Sequence, residues 1–198
     1  MLRRAHAAFT LIELIAVLVI VGLLLAITPL ALDWLVAEKE LESEVSRLGN
    51  WISVLKDQAI LDQAPYALHY DTERNRYAIQ IPVEVVHESA NPEEEPVTVL
   101  ELARDVDEAD LDWYQLPKGI KLEFYEGTRR IEKGRYEVLF DALGTVPPHT
   151  LILTSNNVSS LEASETTRTL KVNFSGLVSY ALGRVVEDFK KTGAELGR

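Results

Sequence analysis

The sequence predicts an α+β protein: one long N-terminal helix laid on an antiparallel β-sheet head. Three observations predict it. An uncharged apolar run covers Leu14 to Leu32, an amphipathic stripe follows it with no linker, and alternating strand-like runs separated by turn residues begin at Pro65. With 198 residues, 47% of them hydrophobic, the chain is long enough for one ordinary domain plus a membrane element.

The helix is predicted from about Thr10 to Leu61, roughly 75–80 Å at 1.5 Å per residue. Its first part, Leu14 to Leu32, is 19 residues long, the length needed to cross the hydrocarbon core. Arg3 and Arg4 precede it, which predicts a cytoplasmic start. Pro29 lacks an N–H and crowds the preceding turn, so it is expected to kink or locally melt the helix. A membrane-helix proline can also simply be tolerated.

Beyond Asp33 the pattern becomes amphipathic. Leu41, Val45, Leu48, Ile52, Leu55 and Ala59 recur at spacings of 4 and 3, a single stripe expected to pack on the chain's own sheet. Glu38, Lys39, Glu40, Glu42, Glu44, Arg47, Lys56 and Asp57 form the solvated face, with Trp51 flanking the stripe. Gly49 is expected to weaken the helix by about 1 kcal/mol relative to Ala.

In the head, Tyr66, Leu68 and Tyr70 lead into the polar turn 71–75, and Tyr77, Ile79 and Ile81 lead out, a hairpin. Further strands are predicted at Val97–Leu102, Ile120–Tyr125, Tyr136–Phe140, Thr150–Thr154, Thr169–Phe174 and Leu177–Ala181. Pro117-Lys118-Gly119, Gly127, Gly134 and Ser175-Gly176 separate them, and Pro147-Pro148 excludes a regular central strand there. Residues 183–198 read as a short polar helix anchored only by Val185, Val186, Phe189 and Leu196.

Composition narrows the function. There are no cysteines, which removes disulfides, thiolate metal sites and Cys nucleophiles. The net charge is −11, and residues 1–32 hold only Arg3, Arg4 and Glu13, so the body carries −12. An acidic body repels phosphates and anionic lipid headgroups, so no nucleic-acid partner is expected. His6, His69, His87 and His149 show no metal-ligand spacing, and no nucleophile elbow or phosphate loop is present. Asp105, Asp107, Glu108, Asp110 and Asp112 gather carboxylates but lack the Gly of a calcium loop, so they read as a solvated charged loop, as does Glu93-Glu94-Glu95. No metal, cofactor or catalytic residue is expected. Asn157-Val158-Ser159 and Asn173-Phe174-Ser175 match the glycosylation pattern, a three-residue match that commonly arises by accident.

Glu13 does not fit this bland picture. An unpaired carboxylate at the head of a membrane-grade helix costs at least roughly 3 kcal/mol to insert. An ordinary secretory signal cut near Ala26 or Ala31, or a plain single-pass anchor, leaves Glu13 unexplained. The segment Ala8-Phe9-Thr10-Leu11-Ile12-Glu13 resembles the leader and helix start of type IV prepilins and type II secretion pseudopilins. The resemblance implies cleavage between Ala8 and Phe9, although Ala8 stands where the family usually has Gly. It also implies N-methylation of Phe9 and pairing of Glu13 with the amino terminus of a neighbouring subunit, at close range in a low-dielectric core. Pro29 then resembles the helix-distorting proline of pilins.

Within the head, Lys56-Asp57-Gln58-Ala59-Ile60 with residues 65–79, the run Leu139 to Val146 and the run Leu170 to Val178 resemble H-type minor pseudopilins and minor pilins of the FimT kind. The likeness covers about residues 8–181, with 87–116 as an insertion. It implies five regions: a leader over 1–8, a transmembrane and filament-core helix over 9–32, an amphipathic helix over 33–62, a β-rich head over 63–182 and a polar tail over 183–198. The implied role is structural: a tip-proximal subunit of the secretion pseudopilus, supporting export of folded proteins across the outer membrane. Implied partners are other major and minor pseudopilins, the prepilin peptidase and methyltransferase, and inner-membrane lipid. The implied location is the bacterial inner membrane, single-pass, with the head periplasmic. A minor type IV pilin for adhesion, twitching or DNA uptake, and a membrane-anchored binding or sensor domain, are the alternatives.

Overall fold

The computed structural model describes residues 11–87, 95–104, 106–156 and 166–186, and for 24–35 it describes the backbone alone. One helix, α1, runs over Leu11–Asp62 without interruption. It passes through Pro29 as helix, so the expected local melting does not occur. A proline removes one donor, and the surrounding turns keep their bonds. The expected membrane span includes side chains outside the described residues; among those described, no helix is long and apolar enough to cross a membrane.

Among the described residues the head contains eleven strands. They are β1 (Tyr66–Asp71), β2 (Arg76–Gln80), β3 (Val83–His87), β4 (Val97–Glu101), β5 (Trp113–Gln115), β6 (Ile120–Glu126), β7 (Arg129–Ile131), β8 (Arg135–Phe140), β9 (His149–Ser155), β10 (Thr167–Val172) and β11 (Val178–Leu182). One sheet has the order β5-β2-β1-β8, a second β11-β10-β9-β6-β7, and β3 and β4 form a separate hairpin. Every strand pair in the two larger sheets is antiparallel.

Both larger sheets turn their inner faces to α1. Leu41, Leu48, Ile52 and Ala59 are fully buried, and Val45 and Leu55 nearly so. They share one cluster with Leu68, Tyr70, Phe140, Leu151, Leu153 and Leu170, residues contributed by both sheets. Alternation sets these faces: in β6 the inward Ile120, Leu122 and Phe124 are buried while Lys121 is exposed and Glu123 half-buried.

Three departures from the sequence reading stand out. Within the insertion over 87–116, β4 lies at the strand expected over Val97–Leu102, but β5 and the burial of Leu111 and Leu116 beside the acidic residues are not expected from the sequence. Glu108 is not a free charge, since its carboxylate accepts from Arg74 and Arg76. The start of the tail, Gly183 to Val186, is not helical. Thr169 Oγ1 donates to Gly183 O at 2.6 Å and accepts from the Val185 N–H at 3.1 Å, which draws this segment over the sheet. The rest of the tail, including Phe189 and Leu196, lies outside the described residues.

Candidate assembly site

Residues 11–23 of α1 are exposed on every side, Leu11, Ile12, Leu14, Ile15, Val17 and Leu18 among them. A bare apolar surface of this extent marks a protein or membrane contact. Glu13 sits in the first turn described and is exposed. Ala8 and Phe9 lie outside the described residues.

The head grips the other half of the helix by polar contacts as well as by the apolar stripe. Glu44 is buried on α1; its Oε1 accepts from the Tyr114 hydroxyl at 3.0 Å and pairs with Arg47 at 3.1 Å. Arg47 also donates to the Tyr114 hydroxyl and lies over its ring, 4.8 Å from the centroid. Burial, then the neighbouring Glu44 carboxylate, raise the Tyr114 hydroxyl above its ordinary pKa. Tyr114 belongs to β5, so this cluster ties the insertion to the helix.

Two further charged clusters lie within the head. Burial alone would raise the Asp71 carboxyl, but the Arg74 backbone N–H and the Arg76 guanidinium hold it below the usual range. Arg76 also stacks over Trp113 at 4.2 Å. Glu123 is held low in the same way, by Arg184, Tyr125 and Arg130 against the effect of burial. Arg130, half of the Arg129-Arg130 basic pair, therefore bridges to Glu123 at 3.1 Å.

Among the described residues, no group of three or more His, Asp or Glu is placed to hold a metal. Asp107, Asp110 and Asp112 are exposed, and Asp105 lies outside the description. His87 meets Glu101 at 2.8 Å on the surface, while His69 is buried against Gln80 Oε1 at 2.8 Å.

His149 is buried in the core, stacked on Phe124 with centroids 5.3 Å apart. Its Nδ1–H donates to Pro147 O at 2.7 Å, since a carbonyl can only accept, and Nε2 has no partner. Burial lowers its pKa to about 4, partly offset by that bond.

Two functional features were missed from sequence: the Tyr114 cluster, and the contact between Gly49 and Tyr180. No local signal points to either, because each joins residues far apart in the chain.

The prokaryotic N-terminal methylation motif matches residues 3–28. Type II secretion system protein H of Pseudomonas aeruginosa is 32% identical over 157 residues, spanning 79% of this chain and 80% of that protein. The minor pseudopilin EpsH of Vibrio cholerae aligns with a TM-score of 0.49 at 14% identity, covering 75% of this chain and 98% of that one. GspH of E. coli aligns with a TM-score of 0.47 at 13% identity, covering 75% and 92%.

Proposed function

Because the chain belongs to the type II secretion system protein H family, we propose that it works as a minor pseudopilin, a structural subunit of the secretion pseudopilus near its tip, and not as an enzyme. The observation that carries this reading is the pairing of a methylation-motif leader with a helix whose side chains over 11–23 form bare apolar surface. Such a surface is stable only in lipid before assembly and among neighbouring helices after it.

In this reading a peptidase cuts between Ala8 and Phe9, and the new amino group is methylated. The subunit waits in the inner membrane with its head in the periplasm. Glu13 then pairs with the amino terminus of a neighbouring subunit, a contact whose strength comes from the low dielectric around it. Residues 9–32 become the filament core, with any bend at Pro29 adjusting the packing. Residues 33–62 carry the head over 63–182. Partners are the other pseudopilins, the processing enzyme and membrane lipid. The acidic head, with Arg130 already engaged by Glu123, gives nucleic acid no basic stripe to follow.

Substitution of Glu13 tests the reading. Glu13→Gln and Glu13→Val remove the charge and ease insertion, so both variants should stay in the membrane and still be cleaved after Ala8. Crosslinking to partner pseudopilins, and secretion, should fall for both and fall furthest for Glu13→Lys. Wild-type assembly and secretion by Glu13→Val would remove the docking role from the carboxylate.

A further inference from the structure

Strand β11 ends the larger sheet, and its outer side carries no strand among the described residues. Its hydrogen-bonding parity can be read from both ends of the β10–β11 hairpin. Asn173 N–H donates to Leu177 O at 3.1 Å, and Gly183 N–H donates to Thr167 O at 3.0 Å. Bonded and non-bonded pairs alternate in an antiparallel ladder, so Thr169↔Ala181 and Lys171↔Ser179 are the bonded pairs. The N–H and C=O groups of Val178, Tyr180 and Leu182 therefore point away from β10 into the open edge.

Sheet edges in native proteins are blunted by charge, proline or bulges. Strand β7 carries Arg129 and Arg130, and β8 carries Arg135 and Glu137. Strand β11 reads Val-Ser-Tyr-Ala-Leu, with no charge, no proline and a continuous register, and Tyr180 and Leu182 are exposed. Beside it lies a groove of about 320 Å³ whose far wall is α1 at Glu42, Val45 and Ser46.

The described continuation of the chain, Gly183 to Val186, turns away from this edge. After Leu182 it bends at Gly183 and crosses the opposite face of the sheet, where Arg184 meets Glu123 on β6 at 2.6 Å. A second copy fits poorly for a different reason. Antiparallel pairing of two β11 edges places a two-fold axis across the sheet, which points the two α1 helices in opposite directions. Subunits anchored in one membrane share one direction.

We infer that the β11 edge and the adjoining groove of α1 receive an extended strand from the head of a different pseudopilin. The inference rests on the filament reading above. In that reading neighbours pack along the apolar half of α1, and the groove's far wall is the same helix, farther along at Glu42, Val45 and Ser46. Main-chain bonds to Val178, Tyr180 and Leu182 supply the pairing, and the groove takes alternate side chains of the incoming strand.

The test uses the full-length chain in inner membranes, coexpressed with the major and remaining minor pseudopilins of the same bacterium. A photoreactive residue is placed at Ser179, exposed on the edge strand, or at Val17, exposed on the helix. Crosslinks from Ser179 should map to a strand in the head of another subunit. Leu182→Pro removes one outward N–H at a site where proline is tolerated. It should reduce that crosslink about fivefold, the effect of one lost hydrogen bond, and leave the Val17 crosslink unchanged. Leu182→Lys keeps the backbone and opposes burial by charge, and it should act in the same direction. Ser179 crosslinks that are absent, that join only a second copy of this chain, or that survive both variants would overturn the inference while Val17 still reports assembly. Loss of the Val17 crosslink in the unmodified chain would overturn the filament reading, and the inference with it.

Discussion

Gly49 on the helix and Tyr180 on the last strand approach so closely that a side chain at position 49 would run into the Tyr180 ring and hydroxyl. A Cβ built on Gly49 would stand 2.9 Å from Tyr180 Cζ, and nearer still to its hydroxyl oxygen. The glycine is therefore a point of close approach between α1 and β11, and its cost to the helix is the condition of that contact.

A double-mutant cycle separates the two effects. In the wild-type background Gly49→Ala should destabilise the head or expel the Tyr180 ring, even though alanine favours the helix by about 1 kcal/mol. In a Tyr180→Ala background the same change should stabilise by about that amount. Denaturant unfolding of the four variants measures the coupling. A Gly49→Ala that stabilises equally in both backgrounds would show that Tyr180 does not constrain position 49.

His149 gives the fold a pH dependence of known sign. Its folded pKa is lowered to about 4 from an ordinary 6.5, so between those values the unfolded chain binds the extra proton. Stability should be full above about pH 6.5 and fall until about pH 4, by about 3 kcal/mol in all. His149→Asn can still donate to Pro147 O and does not titrate, so it should flatten this window whatever its absolute stability. Loss below pH 4 should persist in that variant, because Asp71 and Glu123 are both held low in the folded state. Equilibrium unfolding followed across pH 4–7 checks it.

The parts legible in the sequence were those in which function or packing is local. The helix stripe and the strands around Leu68, Ile79, Leu122 and Leu151 could be read because alternation or 3.6-residue periodicity is written into neighbouring positions. Glu13 stands out in the sequence because a carboxylate within an apolar run, beside a specific leader, contradicts its own surroundings; its docking role is a proposal. Strands β5 and β7 have three residues each, too few for alternation to show. The pairing of Glu108 with Arg74 and Arg76, the burial of His149 and the need for glycine at position 49 depend on contacts made only after the chain folds. The open edge of β11 likewise follows from sheet order, which no segment of the sequence contains.

The Tyr114 cluster should decide whether the insertion is held to the helix. Tyr114→Phe leaves the buried Glu44 without its hydroxyl donor, and Glu44 Oε2 already has no partner. Arg47 still pairs with that carboxylate, so loss of this one hydrogen bond to a buried charge should cost about 1–2 kcal/mol. Hydrogen exchange should then rise first in β5, whose only strand partner is β2, with β9 and β10 retaining protection. Uniform loss of protection across both sheets would mean that the cluster supports the whole head and not the insertion in particular.

The stripe on α1 makes the head and its helix one folding unit. A chain starting near Asp33 keeps Leu41 through Ala59 and should fold as a soluble, monomeric head, because the exposed apolar residues 11–23 are gone while the core cluster is complete. Leu48→Ala in that chain removes a fully buried side chain from between the two sheets and should cost about 2–5 kcal/mol. The same change at exposed Val54, on the helix face turned from the sheets, should cost well under 1 kcal/mol. Starting instead at residue 63 would bare the inner faces of both sheets, including Leu68, Leu151 and Leu170, and the product should aggregate. A monomeric, equally stable protein lacking residues 33–62, shown by light scattering and thermal unfolding, would mean that α1 merely rests on the head and does not complete its core.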